Sequence, residues 1–121
     1  MKIVINCDFG GFGLSETAFE MLLNQKGIEW EKVNTGKVFG FDSISYFHKG
    51  HAGDDKYYIS DSDYYGDRTD KDLVEIVENL KDDANGNYSC LKVIEIPDDV
   101  NWYIAEYDGR EHVAERHQTW S

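Results

Sequence analysis

Leu73 is followed by Ile76 and Val77 three and four residues on, and Leu80 and Ala84 continue at the same spacings, the most regular pattern in the chain. That spacing lays all five along one stripe of a helix. A helix with one apolar stripe must bury it against another element, so the remainder of the chain has to supply a complementary apolar surface. Both ends of the segment carry signals. Thr69 with Asp72 three residues later resembles a capping box with Asp in place of Glu, and Asn85-Gly86 is a C-terminal stop.

The complementary surface comes in short runs of strand character. Ile3, Val4 and Ile5, closed by Gly10-Gly11, are too few for a useful helix and suit a buried first strand. An earlier helix then begins at Ser15 as N-cap, with Leu14 and Phe19 spaced as a hydrophobic staple and Ala18, Phe19, Leu22 and Leu23 as its apolar face. Gly27 ends it. Residues 28–33 alternate as a second strand, and residues 90–96 read as a buried strand closed by Pro97. Residues 102–107 and 110–117 flank Asp108-Gly109, the pair favoured in a two-residue type I′ turn, which predicts a hairpin. Its register would place Ile104 opposite Val113, Trp102 opposite Glu115, and Glu106 opposite Glu111, the last a locally unfavourable pairing. Between residues 36 and 66 no period holds, and the expectation is short strands and loops, with 39–47 pairing with 57–59 as an irregular hairpin. The whole predicts one α+β domain over residues 1–121, a mostly antiparallel sheet with two amphipathic helices and a C-terminal hairpin.

Size permits this. A chain of 121 residues buries about two-thirds of its surface and sustains one core, leaving no room for a second domain. The formal charge of -12, from 24 acidic and 12 basic side chains, repels nucleic-acid phosphates and anionic membrane surfaces, so neither is expected as a direct partner. The same field draws in a basic protein surface, although solubility alone is the plainer reading. Cys7 and Cys90 each stand at or beside an apolar run and read as buried, reduced thiols. The opening apolar stretch is too short for a secretion signal, no window reaches transmembrane length, and a cytoplasmic setting is expected.

Gly10-Gly11-Phe12-Gly13-Leu14-Ser15, together with Ile96-Pro97-Asp98-Asp99-Val100, Tyr107-Asp108-Gly109 and residues 115–120 (Glu-Arg-His-Gln-Thr-Trp), resembles a family of small, uncharacterised bacteriophage proteins. The likeness covers both ends and the helix that stops at Asn85-Gly86, and leaves the middle without a counterpart. It implies a viral accessory role in a bacterial host, a setting of compact inhibitors and ligand-sequestering proteins, some of them directed against host defence. No activity accompanies it.

Four groups of residues carry candidate chemistry. Gly10, Gly11, Phe12, Gly13 and Ser15 form a strand, glycine loop and helix order in which free N-H groups and the helix dipole can hold a phosphate or carboxylate. The loop has neither the spacing of a dinucleotide fingerprint nor the lysine of a P-loop, and Asp8 and Glu16 flank it, so a tight structural turn is the preferred reading. Asp54, Asp55, Tyr58, Asp61, Asp63, Tyr64 and Tyr65 interleave acids and tyrosines as a recognition surface for an arginine-rich protein would. In an extended segment Asp61 and Asp63 would project to one side about 6.5 to 7 Å apart, a row of charges imitating a nucleic-acid backbone. The plainer reading folds the tyrosines back onto the core. Glu106, Glu111, Glu115 and His117 share one hairpin face, where the usual outcome is a wet surface rather than a metal or acid-base site. His48 and His51 lack a second ligand pair. No catalytic set, metal or cofactor is expected. Two function classes follow: a non-enzymatic protein that blocks a basic host protein or sequesters a nucleotide-like molecule, and a small enzyme with Gly10 to Ser15 on phosphate and Glu111, Glu115 or His117 moving protons.

Overall fold

β1 (Lys2–Asn6) is a central strand, in contact with the strands Leu91–Glu95 and Arg110–Glu115 and the helix Lys71–Leu80, and four successive side chains, Ile3 to Asn6, are buried, so that both faces of the strand are covered. It pairs antiparallel with β4 (Leu91–Glu95), Val4 lying opposite Val93. The computed structural model describes residues 1–38 and 40–116, and at positions 38, 41, 42 and 62 the backbone alone.

α3 (Lys71–Leu80) packs on this pair, and α1 (Glu16–Gln25) packs in turn on α3. The Ser15 hydroxyl accepts the Ala18 N-H at 3.1 Å, which is the expected cap, and Ala18, Phe19, Leu22 and Leu23 are all buried. From α3 come Leu73, Val74, Ile76 and Val77. Full burial of Leu22, Leu23, Leu73 and Ile76 contributes about 1.5–3 kcal/mol each.

The cap of α3 is not Thr69 but Asp70, whose carboxylate accepts the Leu73 N-H at 3.1 Å. Thr69 is diverted to Asp67, to which it donates both its hydroxyl at 2.7 Å and its N-H at 3.0 Å. The helix also stops short of Asn85-Gly86. Lys81 takes a positive φ of 53°, and a 3₁₀ turn over Lys81–Ala84 carries the buried Ala84 into place.

β2 (Trp30–Val38) and β3 (Phe41–His48) form a second antiparallel pair, with a register shift between Asn34 and Lys37. Gly36, at φ 119°, lies inside that irregularity. The pairing expected for the middle of the chain is therefore mostly wrong. β3 spends its ladder on β2, and the contact with 57–59 shrinks to one bridge between Phe47 and Tyr58 and one bond from Ile59 N-H to Tyr46 O. The connection between them is occupied by a 3₁₀ turn, Asp55–Tyr57, and is followed by α2 (Ser62–Tyr65).

β5 (Trp102–Tyr107) and β6 (Arg110–Glu115) make the third pair in the expected register, Trp102 opposite Glu115, Ile104 opposite Val113 and Glu106 opposite Glu111. Asp108 and Gly109 hold φ values of 54° and 86°, as a type I′ turn requires. The molecule is thus an α+β domain, and among the described residues all strand pairing is antiparallel and divided among three two-stranded sheets. Among the described residues no helix is long and apolar enough to cross a membrane.

Candidate functional site

The glycine loop is a joint between two distant parts of the chain. Gly10, at φ 130°, lies so close to Tyr88 that an added Cβ would stand 2.7 Å from its carbonyl oxygen. Its N-H donates to Asp108 O at 3.3 Å. The hairpin turn presses on the loop from the other side, where a Cβ on Gly109 would meet Gly10 N at 2.8 Å and Gly11 N closer still. The Gly13 carbonyl accepts from Gly86 N at 3.1 Å and from the Ser89 hydroxyl at 2.6 Å. Phe12 is flanked by the Arg68 guanidinium, 3.7 Å from its ring centroid, and by the Tyr65 ring at 4.9 Å.

Two residues that sequence reasoning missed hold this joint together. Asn6 is fully buried, and its amide donates to Asp8 O at 2.8 Å and Gly109 O at 2.7 Å while its side-chain oxygen accepts from Cys90 N at 2.9 Å. Arg68 grips Glu111 through both terminal nitrogens, at 2.7 and 2.9 Å. Glu111 also accepts the Asn6 backbone N-H at 2.8 Å, so its expected place on a wet face is corrected to a buried one. The signal for this was present: Glu111 shares its hairpin face with Val113 and Ile104, and two glutamates set opposite each other call for a cation. Glu106 and Glu115 stay exposed, and His117 lies outside the described residues.

Ser15 belongs both to this joint and to an open cleft of about 410 Å³ at the start of α1. Its N-H and hydroxyl tie α1 to the turn after α3, donating to Ala84 O at 2.8 Å and Asp83 O at 2.6 Å. Leu14, Ser15 and Glu16 form one wall of the cleft, Ile44 and Tyr46 of β3 a second, and Asn85, Gly86 and Asn87 a third. Tyr58, Ile59, Asp61 and Tyr65 close the fourth, with Phe19 in the same lining.

The acidic and aromatic segment is thereby divided. Tyr58, Asp61 and Tyr65 face the cleft, whereas Tyr64 tucks toward Phe19 at 6.4 Å between ring centroids. Asp54 caps the 3₁₀ turn that contains Asp55, accepting from Lys56 N at 3.1 Å, and neither lines the cleft. Asp63 is exposed on α2. The extended row of Asp61 and Asp63 does not form, because the Asp61 carbonyl accepts from Tyr64 and Tyr65 N-H groups and turns the chain into helix.

The cleft lining carries the carboxylates of Glu16 and Asp61, and two of its phenols are held in the protonated form. Burial first, and then a hydrogen bond to Asp61, raises the Tyr65 phenol well above its ordinary value. Tyr46 is raised in the same way, by burial and by donating to Glu20 at 2.8 Å. Glu16 pairs with Lys32, whose ammonium also bonds Glu20 at 3.0 Å. Among the described residues Asp61 has no ion-pair partner and no lysine, arginine or histidine lines the cleft.

His51 stacks on Tyr57 at 3.6 Å between centroids, and among the described residues no three His, Cys, Asp or Glu side chains converge on a metal site. Cys7 is half-buried and Cys90 exposed, so the pair is less enclosed than expected. No protein family, curated protein or solved structure shows a significant match to the chain.

Proposed function

We propose that this chain is a non-enzymatic binding protein that covers a basic surface of a host protein, with the rim of the α1 cleft as its contact region. One observation carries this reading: tyrosines and Asp61 gather around an open cleft in which, among the described residues, Asp61 has no ion-pair partner and no cationic side chain joins the lining. Tyrosine supplies contact area at small entropic cost, and carboxylates steer a positively charged partner. A net charge of -12 extends that steering over the surface. The resemblance to small phage proteins supplies the setting, a bacterial cytoplasm and a host component such as one used in defence.

Capture of a nucleotide-like molecule is the second reading, favoured by one feature: Ser15 and Glu16, at the amino end of α1, line the cleft. A phosphate there would sit beside Glu16 and Asp61, and the Ser15 hydroxyl already accepts the Ala18 N-H, which places this reading second. The enzyme alternative has Glu111 engaged through both oxygens by Arg68.

Fluorescence anisotropy with a labelled peptide of alternating arginine and serine tests the first reading. Binding is expected at low salt and should weaken about tenfold on going to roughly 0.3 M salt, as screening shortens the reach of the carboxylates. A thermal melt with a nucleotide panel, followed for turnover, tests the others. A flat anisotropy trace at low salt, or turnover of any nucleotide, would overturn the proposal.

A further inference from the structure

Building on the reading of a basic protein partner, we infer that the α1 cleft seats a single arginine side chain of that partner, its guanidinium on the Asp61 carboxylate and its plane against the Tyr58 ring. A volume of about 410 Å³ is at the small end for ligand pockets and admits one long side chain rather than a folded segment.

Charge selects a cation. Glu16, Glu20 and Asp61 stand in or beside the cleft against one ammonium, that of Lys32. Lys32 is already shared by the two glutamates, and Arg68, whose charge reaches Tyr65, is held through both terminal nitrogens by Glu111, so the open electrostatic demand falls on Asp61. Its hydrogen-bond partner there is the Tyr65 hydroxyl, a neutral donor that leaves carboxylate lone pairs unclaimed.

Shape selects arginine over lysine. A guanidinium is planar, weakly hydrated and forked, so it can stack on an aromatic face and bond a carboxylate edge at once, which an ammonium cannot. Tyr58 offers such a face: it is 51% exposed, and its ring edge is steadied by Phe47 at 5.9 Å. The fold uses the same chemistry internally, where Arg68 lies over Phe12 while bonding Glu111 and Arg116 lies 4.9 Å from the Tyr103 ring centroid. Arg68 shows both halves of the arrangement on one side chain, an aromatic face beneath and a carboxylate at the edge. The cleft presents those two halves, Tyr58 and Asp61, with no guanidinium of this chain between them.

The experiment uses three labelled peptides of otherwise neutral sequence, with arginine, lysine or the uncharged isostere citrulline at the centre, titrated into the intact protein. Arginine should bind about tenfold more tightly than lysine, and citrulline should not bind measurably. Asp61→Asn and Tyr58→Ala should each weaken the arginine peptide about tenfold, and Asp54→Asn should leave it unchanged. Tyr58 is exposed and Asp61→Asn keeps the side-chain shape, and melting temperatures within a few degrees of wild type confirm folding. Tyr65→Phe, which frees the Asp61 oxygen without opening the wall, should tighten arginine binding, and it supplies a readout of Asp61 even where Asp61→Asn disturbs the fold. Equal affinity for arginine and lysine together with inert variants would overturn the arginine seat while leaving the basic-partner reading in place. Failure of the arginine-serine peptide to bind as well would remove both.

Discussion

Glu111 and Arg68 complete the free edge of β1. The Arg68 carbonyl accepts the Val4 N-H at 2.9 Å, its guanidinium reaches Val4 O at 3.4 Å, and Glu111 takes the next outward N-H, that of Asn6, at 2.8 Å. One backbone carbonyl and two side chains thus do for Val4 and Asn6 along one margin what β4 does along the other. The pair joins residues 43 positions apart and fastens the C-terminal hairpin to the helical layer through β1.

Removing one partner should therefore cost more than removing both. Arg68→Ala leaves Glu111 buried without its cation, and a loss of about 3–5 kcal/mol in urea unfolding is expected. Pairing Arg68→Met with Glu111→Leu should recover much of that loss. A loss below about 1 kcal/mol for Arg68→Ala would mean that water replaces the guanidinium without difficulty.

Asn6→Ala should cost about 2–4 kcal/mol, because truncation strands the Gly109 carbonyl and the Cys90 N-H at a fully buried position. Asn6→Asp should be worse, since it sets a carboxylate against the two carbonyls that the amide now serves and beside Glu111. Chemical unfolding of both variants, read by tryptophan fluorescence, gives the order.

The two glycines of the joint predict unequal effects. Both hold positive φ, 92° at Gly11 and 86° at Gly109, so alanine is strained at either, by about 1–3 kcal/mol. Only at Gly109 would the new methyl also strike backbone, that of Gly10 and Gly11, whereas nothing lies within 4 Å at Gly11. Gly109→Ala should lower the melting temperature by clearly more than Gly11→Ala, and equal shifts would show that the turn can lift away from the loop.

Much of this was legible before any coordinates. Asp108-Gly109 set the hairpin register, because one turn type fits that pair, and Ser15, Leu14 and Phe19 located the start of α1 because capping and stapling act within five residues. Thr69 misled for a local reason, its hydroxyl being claimed by Asp67 rather than by the helix. The β2 and β3 pairing was hidden by the shift at Gly36, which breaks alternation where the eye seeks it. The cleft was not legible as a unit. Ser15, the stretch from Tyr58 to Asp61, and Asn87 come from three separate parts of the chain, and no local pattern in any one of them announces the other two. Arg68 stands as a cation in an acidic stretch, and nothing local tells that its partner is Glu111, 43 residues away.

Acid should destabilise the protein in a defined window. Hydrogen bonds from the Thr69 hydroxyl and then its N-H hold Asp67 below the ordinary carboxylate value, and Lys26 does the same for Asp72. Groups lowered on folding add stability that is complete above the unfolded value, about 3.9, and drains away as pH falls through the lower folded one. Melting temperature should hold level from pH 7 to roughly pH 5 and decline below about pH 4. Thr69→Val should flatten that decline, and an unchanged slope would remove Asp67 from the account.

The filled margin of β1 also bears on how the molecule behaves in a crowd. An unpaired strand border invites a neighbouring chain to add itself, and repeated addition grows fibres. Here the Arg68 backbone carbonyl and guanidinium engage Val4, and the Glu111 carboxylate takes the Asn6 N-H, so the segments that fasten the hairpin also guard this stretch of edge against self-templating.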